Sequence, residues 1–315
     1  MNKSIIHIYK MLLLALAISG AQLCFAQNNE QDIKWPIKLN NTWEKSMPIG
    51  NEQIILNNKF GKLNISVWDK KEIKVSVTYS VGAKNKEAAE EMMKNILIDF
   101  QQKNDQISFR TLFNEVNNRN NNWNNQGYEI NIDYAVFIPN GSNVLAENSF
   151  GELSIGDFSG TAELISRHGS LVTGKLTNQP NIKVEYGKAN MESLSNPNLI
   201  IKYSKAEIQT INGKIKAVFD YCNNIDLPIS NSIQDADIRS NYTSLYLVTD
   251  KSFDADYDIT TNYSRASGKA EYKLIEVGNT NSNAFSQTKK YKGSLGKGGK
   301  TNLKLVCNYG SLRII

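Results

Sequence analysis

Residues 147–156 read ENSFGELSIG, and their pattern decides the fold: Phe150 is followed at once by Gly151, then by Leu153 and Ile155 three and five positions after the ring. The same pattern recurs along the chain. Phe60-Gly61 is followed by Leu63 and Ile65, Tyr186-Gly187 by Ala189 and Met191, and Tyr203-Ser204 by Ala206 and Ile208. Tyr242-Thr243 is followed by Leu245 and Leu247, and Tyr309-Gly310 by Leu312 and Ile314. Tyr263-Ser264-Arg265-Ala266 is a weaker copy, with Gly268 in the last slot. His168-Gly169 with Leu171 and Thr173 fits the same frame, and a polar residue precedes the ring each time. Tyr221 supplies a further copy, although Asn224 and Asp226 break its register.

From Phe150 to His168, Tyr186 and Tyr203 the steps are 18, 18 and 17 residues, and Tyr242 and Tyr263 each stand 21 residues beyond the preceding ring. Regular internal repeats of short strand-forming units are the mark of a solenoid, in which no unit buries its apolar side alone. A period of 17 to 21 residues, rich in strand formers and turns, predicts a right-handed parallel β-helix, an all-β fold in which successive coils pair at about 4.8 Å. Equivalent positions would then form ladders, with Phe60, Phe150, His168, Tyr186, Tyr203, Tyr242, Tyr263 and Tyr309 stacked ring on ring. The small residue after each ring is expected to mark the bend, where glycine tolerates backbone angles that a side chain forbids.

The segments ENSFGELSIG, NYGSLRI at the C-terminal end and NNKFGKLNISVWDKKEIKVSV near the start resemble the exported adhesin-like β-helical proteins of Gram-negative bacteria, including the auto-transporter-like adhesins. The resemblance covers residues 51–315. It implies a right-handed β-helix and a non-enzymatic surface role, and it brings no catalytic residues with it.

The chain begins with Lys3 and Lys10, an apolar stretch of roughly a dozen residues, and Ala26 at a small-residue cleavage site, which reads as a signal peptide over residues 1–26. Cys24 would suit lipidation, but Leu23 before it is larger than that processing prefers. The apolar stretch is shorter than the ~20 residues a membrane helix needs. Residues 27–315 are therefore expected as one exported β-helix domain, at the cell surface, outer membrane or periplasm, or secreted. Removing Lys3 and Lys10 takes the net charge from +5 to +3, too mild for nucleic acid, and there is no basic stripe with interleaved aromatics.

Residues 84–96 read as helix, within an insertion at about 83–100, and the alternation over residues 73–79 reads as a strand. Residues 117–127 form an Asn-rich loop containing Trp123. Cys222 and Cys307 are separated by about four coils in sequence order, roughly 19 Å, too far for a disulfide, which needs Cα atoms within about 7 Å. Both are expected as free thiols.

Three constellations invite a chemical reading. The residues 293–301, GSLGKGGKT, end like a phosphate-binding loop but have Ser294 where the first glycine belongs and lead into a strand rather than a helix. Asp254, Asp256 and Asp258 share one face of a strand and form a surface calcium candidate, which Asp235 and Asp237 would enlarge; the EF-hand continuation fails at Ile259 and Arg265, and a solvated outer face is the plainer reading. His168 beside Ser170 invites a triad, but it occupies a slot otherwise held by Phe or Tyr. The expected function is therefore binding of a glycan or protein ligand on a solenoid surface, without catalysis or cofactor. A polysaccharide-degrading β-helix enzyme is the alternative. A structural or assembly role is a third, because the C-terminal Arg313-Ile314-Ile315 looks like an uncapped strand edge through which copies would associate.

Overall fold

The computed structural model describes residues 35–114, 127–278 and 287–315. Residues 1–26, read from the sequence as a signal peptide, and residues 117–126 of the Asn-rich loop, with Trp123, lie outside the described residues. Strands β1 (Ile37–Pro48), β2 (Gln53–Lys59), β3 (Leu63–Trp68) and β4 (Glu72–Ala83) precede helix α1 (Lys86–Asn95), and β5 (Ile96–Lys103), β6 (Gln106–Phe113) and β7 (Glu129–Pro139) follow it. Next come β8 (Asn143–Ser149), β9 (Glu152–Ile155), β10 (Thr161–Arg167), β11 (Ser170–Leu176), β12 (Asn181–Glu185), β13 (Lys188–Ser195), β14 (Asn198–Lys202) and β15 (Lys205–Asp220). The described chain closes with β16 (Asn224–Ile229), β17 (Ile233–Asn241), β18 (Ser244–Thr249), β19 (Ala255–Asn262), β20 (Arg265–Gly268), β21 (Glu276–Val277), β22 (Thr288–Leu295), β23 (Thr301–Asn308) and β24 (Ser311–Ile314). From Pro36 onward the described residues form one compact unit.

Two ladders organise that unit. Strands that lead into a repeat ring pair in the order β6, β2, β8, β10, β12, β14, β15, β17, β23, β19, all parallel. Strands that leave a ring pair in the order β7, β3, β9, β11, β13, β15, β16, β18, β24, β20, also parallel. Inward positions alternate with outward ones at the period of a pleated strand: Val144 and Ala146, Ala162 and Leu164, and Ala236 and Ile238 are all buried.

The sheet is nevertheless mixed, which corrects the expectation of a uniform parallel β-helix. At one end β4 pairs antiparallel with both β7 and β1, and β5 antiparallel with β6. At the other, β22 pairs antiparallel with β19 and β21. A stacked array exposes unpaired backbone at each end, and strands that turn back across the ends cover it.

The inserted helix is shorter than the sequence suggests. Asn85 caps it by accepting from Ala88 N–H at 2.8 Å, and Ala89 and Met92 face the core. It stops at Asn95 because Ile96 and Ile98 bury on alternate positions in a strand against β6, where β-branched side chains pack best.

The chain also does not stack in sequence order. β23 and β24 lie between β17 and β18 on one side and β19 and β20 on the other. The C-terminal strand is therefore no free edge: β24 has a parallel neighbour on both sides, Ile315 N–H donates to Leu247 O, and Thr249 N–H donates to Ile315 O. Self-association through an uncapped Arg313-Ile314-Ile315 edge loses its basis. The same intercalation places Cys307 two rungs from Cys222 rather than four, about 10 Å apart, and both thiols are free and buried.

Candidate functional site

The rings of the repeat form one column. Centroids of Phe60 and Phe150 lie 5.3 Å apart, Phe150 and His168 4.9 Å, and His168 and Tyr186 5.0 Å. The column continues through Tyr203, Tyr221, Tyr242, Tyr309 and Tyr263 in steps of 4.7 to 4.9 Å, with planes within 8° of parallel. Phe113 closes the Phe60 end edge-on at 5.8 Å. Tyr221, whose register looks broken in the sequence, belongs fully: one extra residue at Asn223 lets Ile225 pair with Leu245. Tyr263 is last in the column although Tyr309 is last in the chain.

The column is an exposed stripe, not a core element. Its tyrosines are between 46% and 55% exposed, and Phe150 51%. Every ring residue has a left-handed backbone, with φ from 49° for Tyr242 to 64° for Phe60. That conformation costs a non-glycine residue about 1–2 kcal/mol, and it turns each side chain outward at the corner between the two ladders. Each corner is fixed by the next rung: Phe150 N–H donates to Arg167 O at 2.9 Å, His168 N–H to Glu185 O at 3.0 Å, and Tyr203 N–H to Asp220 O at 2.9 Å.

The small residue after the ring has a different role from the one the sequence suggested. None of Gly61, Gly151, Gly169, Gly187 and Gly310 has positive φ. Glycine is needed there for close approach, because a Cβ on Gly151 would overlap Gly61 O, and one on Gly169 would overlap Gly151 O. Where Ser or Thr takes the slot, its hydroxyl replaces the backbone contact. Ser204 Oγ accepts from Gly187 N–H at 3.0 Å and donates to Lys202 O, and Thr243 Oγ1 accepts from Cys222 N–H at 3.0 Å. Ser264 Oγ likewise accepts from Gly310 N–H at 2.9 Å. The substitutions thus preserve the regularity of the bend.

Polar rows flank the stripe. On the entering side, Arg167 pairs with Glu147 and Glu185, and Lys202 with Asp220 at 3.2 Å. Glu185 has its carboxyl lowered; partial desolvation opposes this, and Lys183 and Arg167 outweigh it. Beyond Asp220 the row becomes an amide chain: Asn241 donates to Asp220, Asn308 to Asn241 and Asn262 to Asn308, at 2.6 to 2.7 Å. On the leaving side Lys188 and Lys205 stand exposed. Desolvation, then the neighbouring Tyr221 and Tyr186 phenols, raise the Tyr203 hydroxyl above its ordinary value. Shallow hollows border the stripe, one of about 370 Å³ beside Tyr203 and Tyr221 and one of about 520 Å³ against Tyr263.

The calcium candidates are dispersed among lysines. Asp254 accepts from Lys297 N–H and pairs with Lys300, and these two contacts hold its carboxyl below the usual range. It therefore anchors the Gly296–Gly299 turn, which joins β22 to β23 where the sequence mimics a phosphate-binding loop. Asp256 accepts from Ser294 Oγ at 2.6 Å, and Asp258 pairs with Lys292 at 2.8 Å. Asp235 pairs with Lys214 and Asp237 with Lys304. Among the described residues no group of three or more metal-ligating side chains converges. His168 is held between Phe150 and Tyr186 as a ring of the column, and no helix of the described residues is long and apolar enough to cross a membrane.

No family model matches the chain, and no curated protein matches it. Solved structures similar to it include a candidate adhesin from Bacteroides fragilis, at 10% identity and TM-score 0.45 over 87% of this chain and 97% of that one. A candidate cell adhesion protein from Clostridium sporogenes is similar at 15% identity and TM-score 0.23, over 87% and 99% of the two chains. A candidate lipid binding protein from Parabacteroides distasonis is similar at 11% identity and TM-score 0.33, over 87% and 97%. At these values the likenesses carry no argument about function.

Proposed function

We propose that this is an exported, non-enzymatic, adhesin-like binding protein whose rungs form a right-handed parallel β-helix bounded by antiparallel ends, and that it holds an extended glycan along the ring column. The handedness follows the general rule for crossovers between parallel strands. The observation that carries the reading is the exposed column itself. Nine rings in single file make a stripe about 40 Å long at the ~4.8 Å rise of paired strands.

Neighbouring rings occupy one another's faces, so the column offers ring edges and phenolic hydroxyls at each step. That step is close to the length of one pyranose unit in an extended polysaccharide, so consecutive sugars meet consecutive rungs. A peptide strand advances about 3.3 Å per residue and falls out of step. The Asn chain on one flank and Lys188 and Lys205 on the other supply hydrogen bonds to sugar hydroxyls. A regular open stripe bordered by shallow hollows suits holding a polymer rather than cleaving it, and His168 locked between two rings supports a structural use of that residue.

Calorimetric titration of the protein with hexamers of β-1,4-linked glucose, β-1,4-linked N-acetylglucosamine and α-1,4-linked galacturonate tests the reading. At least one hexamer binds, trimers bind more weakly, and Tyr203→Ala with Tyr221→Ala weakens the hexamer at least tenfold. Affinity that is unchanged by removing those two rings, or binding of extended peptides in preference to all hexamers, rejects it.

A further inference from the structure

The last ring of the column differs from the rest. Tyr309 stacks on one face of Tyr263 at 4.9 Å, and among the described residues no other ring stacks on its opposite face. Tyr263 is also the most exposed tyrosine of the column, at 55%, and it lines a hollow of about 520 Å³ with Arg265, Gln287, Lys289 and Tyr291. The neighbouring corner row ends in amides, whereas this hollow gathers cations. Arg265 is exposed and in no ion pair among the described residues, and Lys289 pairs with Glu276 at 3.1 Å. Arg265 lies near enough to Lys289 to oppose its charge, although the Glu276 contact outweighs that effect.

From this juxtaposition of a ring face and a guanidinium that are both without a partner among the described residues we infer that the hollow is a subsite for an acidic sugar residue, a pyranose carrying a carboxylate. The sugar's C–H face would extend the column as its next ring, Arg265 would bind the carboxylate, and Gln287 would bond to hydroxyls. A guanidinium grips a carboxylate through two parallel N–H donors, which among the described residues no other position along the stripe provides against a ring face that lacks a stacked neighbour. The inference rests on the glycan reading and gives it polarity, with an acidic unit at the Tyr263 end.

The experiment compares the galacturonate hexamer, the neutral N-acetylglucosamine hexamer and monomeric galacturonate on the full chain. Arg265→Gln weakens both galacturonate probes about tenfold and leaves the neutral hexamer unchanged, and the acidic preference falls as ionic strength rises. Tyr263→Leu weakens monomeric galacturonate as well, and Gln287→Ala checks the hollow without touching the strand that carries Arg265. Unchanged galacturonate affinity in folded Arg265→Gln and Tyr263→Leu overturns the subsite. If that happens while Tyr203→Ala still weakens the hexamers, the stripe stands without the subsite. If monomeric galacturonate binds through Arg265 while Tyr203→Ala has no effect, the subsite stands and the stripe fails.

Discussion

Substitutions at His168 separate the two demands placed on a column residue, stacking and a left-handed backbone. His168 contacts Phe150 at 4.9 Å and Tyr186 at 5.0 Å and has φ of 53°. His168→Tyr keeps both contacts and is expected within about 0.5 kcal/mol of the parent. His168→Ala loses two ring pairs, each contributing about 0.5–1.5 kcal/mol, so it destabilises by about 1–3 kcal/mol. His168→Gly loses the same pairs but escapes a left-handed penalty of about 1–2 kcal/mol, while its unfolded chain gains freedom worth about 0.5–1 kcal/mol. Glycine should therefore be more stable than alanine by about 0.5–1 kcal/mol, the reverse of their usual order in β structure. Urea denaturation followed by far-UV circular dichroism reads these differences, and thermal melting should shift by roughly 2–4 °C per kcal/mol. Alanine equal to or more stable than glycine refutes the backbone argument, and a tyrosine variant destabilised as much as the alanine one refutes the stacking argument.

Gly151→Ala forces a Cβ onto Gly61 O and should cost more than 2 kcal/mol by the same denaturation assay, in the range of overpacked cores. Thr243→Val removes the hydroxyl that accepts Cys222 N–H and donates to Asn241 O, and should cost about 1–3 kcal/mol because buried groups lose their partner. Tyr134 is buried, and desolvation foremost pushes its hydroxyl up to about 12. The folded state thus keeps a proton that the unfolded chain gives up near pH 10, so Tyr134 contributes full stability below pH 10 and loses about 3 kcal/mol of it as pH rises to about 12. In a Tyr134→Phe variant, denaturation midpoints should fall less steeply over that interval. Burial raises the Cys222 thiol, so a thiol reagent at pH 8 should label it in urea and spare it in the native protein, as a mass measurement would show.

The ring pattern was legible in the sequence because one slot demands three things at once: a planar side chain, a small successor and inward apolar residues three and five positions later. The order of the last rungs was not. Asn241, Asn262 and Asn308 all precede a tyrosine, and Thr243, Ser264 and Gly310 all follow one. Tyr242 therefore meets the same chemistry whether Tyr263 or Tyr309 stacks on it, and nearness in sequence favours the wrong choice. The role of the small residue was hidden for a related reason. Glycine serves both positive φ and close approach, and only the structure shows the ring residue taking the first burden and its successor the second. The antiparallel ends were legible only in part. Alternation over residues 73–79 marks β4 as a strand but says nothing of its direction, and Ile96 continues the periodicity of Ala89 and Met92 in the helix before it. At the candidate site, His168 stacks between Phe150 and Tyr186 as its slot in the repeat suggests, whereas the exposure of the column has no signal in residue type, since Phe and Tyr at regular spacing suit a core equally well.

Hydroxyl-radical footprinting of the protein with and without the tightest-binding hexamer tests the central claim most directly, because it reports side-chain protection residue by residue. A glycan lying along the stripe should protect consecutive rungs of the column, Tyr186, Tyr203, Tyr221 and Tyr242, and leave Tyr246 on the leaving-strand face unchanged. Protection confined to Tyr246 or to other residues off the column, with the ring residues as reactive as in the free protein, would contradict it.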